Sequence, residues 1–242
     1  MTDNAVAPAP VAPADLPSRV PAAGWSVILF DLDGTITDSG AEITQRITKA
    51  LHIVGWPVPP LKELERLVGP PLYEGFMEVL GMSSAKAKET LAAQRTIAEL
   101  QGLGRRSSVY RGMSSLLVEL HATGIPLAVA SSKGQHQVDS VLEHFDLARY
   151  FTVMVGSDEA AGRTHKSQVV EEALRQLGEQ GADLSRPIMV GDRVHDLEGA
   201  AEHGVPTIIV TWGYHNGEEA PGALARVDTA EQLAALLAPA AD

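Results

Sequence analysis

Residues Ser26–Phe30 read SVILF and lead straight into DLDGT. A strand with one wet face alternates polar and apolar side chains. A run without alternation is the pattern of a strand covered on both faces, as in a parallel sheet. Such a strand needs helices above and below it. Comparable runs recur at Pro126–Ala130 (PLAVA), Thr152–Val155 (TVMV), Pro187–Val190 (PIMV) and Pro206–Val210 (PTIIV). Helical periodicity occupies Ser114–Thr123, Gln135–Phe145, Ser167–Leu177 and Asp196–His203 between them, and Ala-rich Thr229–Leu237 reads as a final helix. This alternation predicts an open α/β sheet with right-handed crossovers, whose ligands bind at the carboxyl ends of the strands.

From Ser39 to Ser108 no strand is expected, only helical spacing: Ile43, Ile47, Ala50, Leu51 and Val54, then Leu61–Val68, Leu72–Leu80 and Ser84–Leu100. We therefore expect residues 39–108 to form a helical insertion above the strand ends, with the chain rejoining the sheet near Tyr110-Arg111-Gly112. The α/β core then comprises residues 25–38 and 109–242. Residues 1–24 carry five prolines among alanines and read as a disordered tail, with neither the basic start nor the apolar centre of a signal peptide.

The chain has no cysteine, which removes thiolate metal sites and sulfur nucleophiles. A formal charge of −12 with scattered cations argues against nucleic-acid binding. No apolar run approaches the roughly 20 residues of a membrane span. A cytoplasmic enzyme acting through oxygen and nitrogen groups, as a monomer or homodimer, is the expectation.

Asp31 and Asp33 stand two apart at the end of the first strand, so both carboxylates reach the same side, and Gly34 lets the backbone turn sharply. Adjacent carboxylates repel unless a cation or shared proton relieves them, and Mg²⁺ prefers such oxygen ligands. Ser131 follows PLAVA, Lys166 supplies a fixed positive charge, and Asp192 and Asp196 follow PIMVG. Each alone could be a helix cap, a solvated lysine or a turn. Together they fall where an open α/β sheet assembles its site.

In this order the segments FDLDGT (Phe30–Thr35), AVASSK with Ser131, THKSQ with Lys166 and VGDRVHD with Asp192 and Asp196 resemble the four motifs of the haloacid dehalogenase-like hydrolase superfamily, phosphoglycolate phosphatase-like branch. The resemblance covers about Ser26 to Leu237, and Ser167 stands where the family more often has proline. It implies a Rossmann-like parallel sheet core with an inserted all-helical cap domain. It also implies a Mg²⁺-dependent phosphatase for a small-molecule phosphate ester. Asp31 would be the nucleophile and Asp33 the acid and base. Asp31, the Asp33 carbonyl and Asp192 would hold the ion, with Asp196 in support. Ser131, Ser132, Lys166 and Gly34 would bind phosphate. Gly69, in the turn Gly69-Pro70-Pro71, and Lys133 and Arg111, near the strand ends, are candidate substrate contacts. Dehalogenases lack the second aspartate, so Asp33 favours phosphoryl transfer. Alternatives with the same chemistry are a sugar-phosphate phosphomutase, a 5'-nucleotidase and a phosphotransferase to a protein tyrosine. His165, His195, Trp212, Gly213 and Tyr214 lie beside the motifs and read equally well as packing or loop residues.

Overall fold

Strand β1 (Val27–Phe30) lies inside a six-stranded parallel sheet, in the computed structural model, which describes residues 24–102, 106–214 and 221–238. Its neighbours are β4 (Leu127–Gly134) and β6 (Pro187–Gly191). Beyond them lie β5 (Val153–Ser157) on one side, and β7 (Thr207–Val210) and β8 (Ala225–Val227) on the other. The order is β5-β4-β1-β6-β7-β8. Phe30 pairs with both Val129 and Val190, so Asp31 lies level with the residues that follow Val129 on β4 and Val190 on β6, along one edge.

The missing alternation in SVILF has its cause in two apolar layers. Ile28 and Phe30 join Val129, Ile188 and Val190 under α5 (Met113–Ala122), α6 (Gln135–His144) and α9 (Ala230–Leu237). Val27 and Leu29 join Ala128, Ala130 and Met189 under α7 (Lys166–Glu179) and α8 (Val194–Ala201). Alternate side chains point to opposite faces and both faces are dry.

Between β2 (Thr37–Asp38) and β3 (Ser108–Val109) run the helices α1 (Gly40–Ile53), α2 (Leu61–Glu65), α3 (Leu72–Glu78) and α4 (Ser84–Gln101). They enclose an apolar cluster of their own, with Ile43, Ile47, Leu51, Leu64, Leu67 and Phe76 buried together. The short β2 and β3 pair antiparallel, Thr37 with Val109 and Asp38 with Ser108, so the two crossings of the chain are tied at the base of the insertion.

Three expectations need correction. Strand β8 escaped the periodicity because it is a three-residue edge strand containing Arg226. Ser108 lies in a strand, where none was expected up to that residue. Strand β4 also runs past PLAVA to Gly134 with an irregular register, so Ser131 and Ser132 sit within its distorted end. The proline-rich segment lies outside the described residues except for Gly24.

Leu117 on α5 is fully buried in the larger core layer. We expect Leu117→Ala to cost about 2–5 kcal/mol in denaturant titration, because the cavity left behind refills only in part. Ile53→Ser, at a position 67% exposed, is expected to stay within about 0.5 kcal/mol.

Candidate active site

The backbone N–H of Asp31 donates to Val190 O at 2.8 Å, which extends the sheet one residue beyond β1 and fixes the carboxylate at the strand edge. The turn that follows is clamped on one acceptor, with Ile36 N, Thr37 N and Thr37 Oγ1 all donating to Leu32 O. Gly34 has φ 93°, and a Cβ there would lie 2.3 Å from Asp192 Oδ2. Only glycine satisfies both the left-handed backbone and the close approach.

Lys166, the first residue of α7, is buried and reaches three acceptors. Its Nζ lies 2.7 Å from Asp31 Oδ1, 2.7 Å from Asp196 Oδ1 and 2.7 Å from Ala130 O. Its stem passes Gly199, where a Cβ would come within 2.7 Å of Lys166 Cγ. Asp196 turns its other oxygen to the loop, with Asp192 N and Arg193 N donating to Oδ2 at 3.1 and 3.0 Å. Asp192 Oδ2 accepts from Tyr214 N at 2.6 Å, while Asp192 Oδ1 is buried with no partner.

Carboxylate oxygens of Asp31, Asp192 and Asp196 lie within 4.8 Å of one another. Burial pushes Asp31 up to about 6. Lys166 pulls against that rise, and Asp196 and Asp33 add to it. Burial, then the charges of Asp196 and Asp31, raise Asp192 well above the usual carboxylate range. Burial works against the Lys166 ammonium, but Asp196 and Asp31 outweigh it and raise its pKa. Three buried carboxylates facing one fixed ammonium, with the Asp192 oxygen unpartnered, can hold a hard divalent cation.

Asp33 is held separately. Ser39 Oγ donates to its Oδ1 at 2.5 Å and Lys133 Nζ to its Oδ2 at 2.6 Å. Ser131 is buried, with its Oγ accepting from Lys133 N at 3.3 Å, and Ser132 Oγ is buried without a partner. Above Asp33 a crevice of about 1290 Å³ separates the sheet edge from the helical insertion, with Gly69, Ser132 and Lys133 in its wall.

The structure thus brings together Asp31, Asp33, Gly34, Ser131, Ser132, Lys133, Lys166, Asp192 and Asp196. Arg111 is not among the residues lining the crevice. It is exposed, and its charge acts on Glu231 at the start of α9. His165 pairs with Glu74 at 3.2 Å on the crevice wall, and His195 is partly buried with Nδ1 unpartnered. Trp212 Nε1 donates to Thr35 O at 3.1 Å, bracing the motif turn.

Periodicity and motif order passed over three contributors. Arg193 Nη1 donates to Val68 O at 2.8 Å and to Tyr214 O at 3.1 Å, joining the loop after Asp192 to the insertion. Gly69, with φ 102°, packs against its stem. Arg46 on α1 and Gln94 on α4 are buried, yet both line the crevice. Burial lowers the pKa of the Arg46 guanidinium, and the charges of Glu42 and Asp33 offset that. The available signal was an arginine among the apolar positions Ile43, Ile47 and Ala50 of one helix face.

The family described as haloacid dehalogenase-like hydrolase matches residues 28–210. Among curated proteins, the tyrosine-protein kinase PtkA of Mycobacterium tuberculosis is 37% identical over 188 residues, which is 78% of this chain and 62% of that protein. The chain therefore spans less than two thirds of that relative. A 5'-nucleotidase of Pseudomonas aeruginosa is 36% identical over 192 residues, 79% of this chain and 85% of that protein. Among solved structures, a predicted phosphatase from Clostridium acetobutylicum superposes with a TM-score of 0.80 at 34% identity, covering 87% of this chain and 97% of that one. No helix among the described residues is long and apolar enough to cross a membrane.

The raised carboxylates carry a sign for stability. A carboxylate raised by folding stabilises below its ordinary value of 3.8, and that contribution is lost as pH climbs through about 6. We expect MgCl₂ to raise Tm more at pH 7.5 than at pH 5, by about 2–4 °C for each kcal/mol of binding, because the cation competes with protons for the same oxygens. Asp192→Asn is expected to raise the metal-free Tm at pH 7.5 and to lose most of the Mg²⁺ shift. An unchanged shift in that variant would remove Asp192 from the cation site.

Proposed function

The chain belongs to the haloacid dehalogenase-like hydrolase family, and from that premise we propose that it hydrolyses a small phosphate monoester with Mg²⁺ through an aspartyl-phosphate on Asp31. The observation that carries the reading is the pairing of Asp31 and Asp33 at the sheet edge, each carboxylate held by a different cation. One is fixed for attack. The other is fixed for proton transfer at the mouth of the crevice.

In this reading Lys166 holds Asp31 Oδ1 and leaves the second carboxylate oxygen for the phosphorus. The bond from phosphorus to the ester oxygen breaks as the bond to Asp31 forms, and Asp33 gives its proton to the departing oxygen. Asp33 then takes a proton from the water that cleaves the acyl phosphate. Ser131, Ser132 and the backbone around Gly34 would receive the transferring oxygens, where charge spreads in the transition state. The unpartnered Ser132 Oγ fits that duty. Asp31, the Asp33 carbonyl and Asp192 would hold Mg²⁺, which supplies neutralising charge to the phosphoryl oxygens. Residues 39–108 would serve as the cap, and residues 25–38 with 109–242 as the catalytic core, so that leaving-group contacts come from the insertion.

A second reading is favoured by the 37% identity to a protein named as a tyrosine kinase. The same aspartyl-phosphate could pass its phosphoryl group to a tyrosine hydroxyl in place of water. Label moving from a nucleoside triphosphate to a tyrosine-bearing protein, and lost in Asp31→Asn, is the outcome that reading requires.

For hydrolysis, the test is phosphate release from phosphoglycolate, pentose and hexose phosphates, nucleoside monophosphates and phosphotyrosine, with Mg²⁺ and with EDTA. Turnover of one class is expected with Mg²⁺ alone, and Asp31→Asn should lower it on the order of 10⁴-fold or more, as removal of a nucleophile does elsewhere. Magnesium-dependent turnover retained in that variant would sink the mechanism.

A further inference from the structure

The first turn of α7 lies along α8, and three contacts join them. Lys166 Nζ meets Asp196 Oδ1 at 2.7 Å, the Lys166 stem passes Gly199, and Ser167 reaches the turn that ends α8. Asp196 and Gly199 stand three apart, so they share the face that α7 covers. At the turn, Ser167 Oγ lies 2.6 Å from Glu202 Oε2 and 3.0 Å from His203 Nε2. The same His203 nitrogen lies 2.9 Å from Ser167 O. A carbonyl oxygen only accepts, so His203 Nε2 carries the hydrogen. The Ser167 hydroxyl donates to Glu202, and its oxygen faces His203.

These bonds keep the start of α7 from lifting away, and Gly199 limits its approach. A Cβ at Gly199 would lie 2.9 Å from both Lys166 Cβ and Ser167 N, so the two helices already touch as closely as backbone allows. Thr164 N and His165 N also donate to Gln168 Oε1, at 2.8 and 3.0 Å, but those bonds stay within α7 and its approach. The tie through Ser167 reaches a second element, the one that carries Asp196. A proline at this position, the commoner residue in the family, has no hydroxyl to take part. Lys166 adjoins Ser167 across one planar peptide bond. Its ammonium has three hydrogens and three acceptors, Asp31, Asp196 and Ala130 O, so no spare contact absorbs a tilt of the helix.

We infer that Ser167, Glu202 and His203 form a positioning cluster for Lys166, which sets where the ammonium meets Asp31 without itself touching substrate. None of the three is among the residues lining the crevice. The effect on rate rests on the hydrolytic reading, in which Lys166 fixes the nucleophile, whereas the place of the ammonium does not. The cluster acts at the phosphoryl end of the site. Its loss therefore slows every ester by one factor, whatever the leaving group.

The test follows Lys166 in two ways on the full chain: reductive methylation of its amine without Mg²⁺, read by mass spectrometry, and kcat with Mg²⁺. Ser167→Ala and His203→Phe are expected to speed methylation of Lys166 about fivefold, the weight of one hydrogen bond. The same variants should lower kcat about 10-fold for every ester that the wild type hydrolyses, with KM within about threefold. His203→Gln offers an amide N–H in place of Nε2 and should keep both readouts within about twofold of the wild type. Leu177→Val loosens the buried side of the same helix away from the cluster and should also leave both within about twofold, which separates positioning from stability. Ser167→Ala, at a half-buried position, decides the matter where His203→Phe fails to fold. Unchanged labelling of Lys166 in Ser167→Ala and His203→Phe, a rise as large in Leu177→Val, or a His203→Gln as impaired as His203→Phe overturns the cluster and leaves hydrolysis standing. A wild type that turns over no monoester in the wider panel overturns hydrolysis, and the labelling then decides the cluster alone.

Discussion

A buried ammonium, that of Lys166, holds the rest of the site in place. Three carboxylates gather within 4.8 Å at the edge of the sheet, in a place that water does not screen. Left to themselves they would separate or take up protons. Lys166 joins two of them, Asp31 and Asp196, and anchors itself to the main chain at Ala130. Because Asp196 in turn receives the N–H groups of Asp192 and Arg193, one side chain sets the mutual position of β1, β4 and the loop after β6. Removing one partner of such a buried set leaves an uncompensated charge, which is far costlier than losing a surface pair.

The sheet was largely legible because its signal is local. Two-sided burial removes polar alternation, and five of its six strands announce themselves in that way. The floor of the site was legible for the same reason. A residue following a buried strand must emerge at the sheet edge, as Asp31 and Asp192 do after β1 and β6, while Ser131 lies in the irregular end of β4. β8 was not legible, since an edge strand with Arg226 has a wet side and reads like a loop. The roof was harder still. Arg46 and Gln94, 48 positions apart in the chain, reach the crevice wall through the packing of α1 against α4, and spacing along a single helix cannot tell which face closes over a crevice.

The join between sheet and insertion rests on few residues. Arg193 follows Asp192 directly and donates to Val68 O, so the loop that carries Asp192 also touches the insertion. Tyr214 offers its N–H to Asp192 and its hydroxyl to the start of α1. The β2 and β3 pair holds the two chain crossings together. Any shift of the insertion is therefore felt one residue away from the Asp192 carboxylate.

The hydroxyl of Tyr214 has a consequence for the electrostatics at the start of α1. It accepts from Ser39 N and Gly40 N, both at 2.6 Å, and donates to Asp38 Oδ1 at 2.9 Å. Free N–H groups at a helix start are a ready anion trap, and α1 begins close to Asp33. Burial raises the Tyr214 phenol, so it remains a neutral acceptor across the physiological range. An uncharged oxygen thus caps two of the N–H groups at this helix start, beside the carboxylate of Asp33.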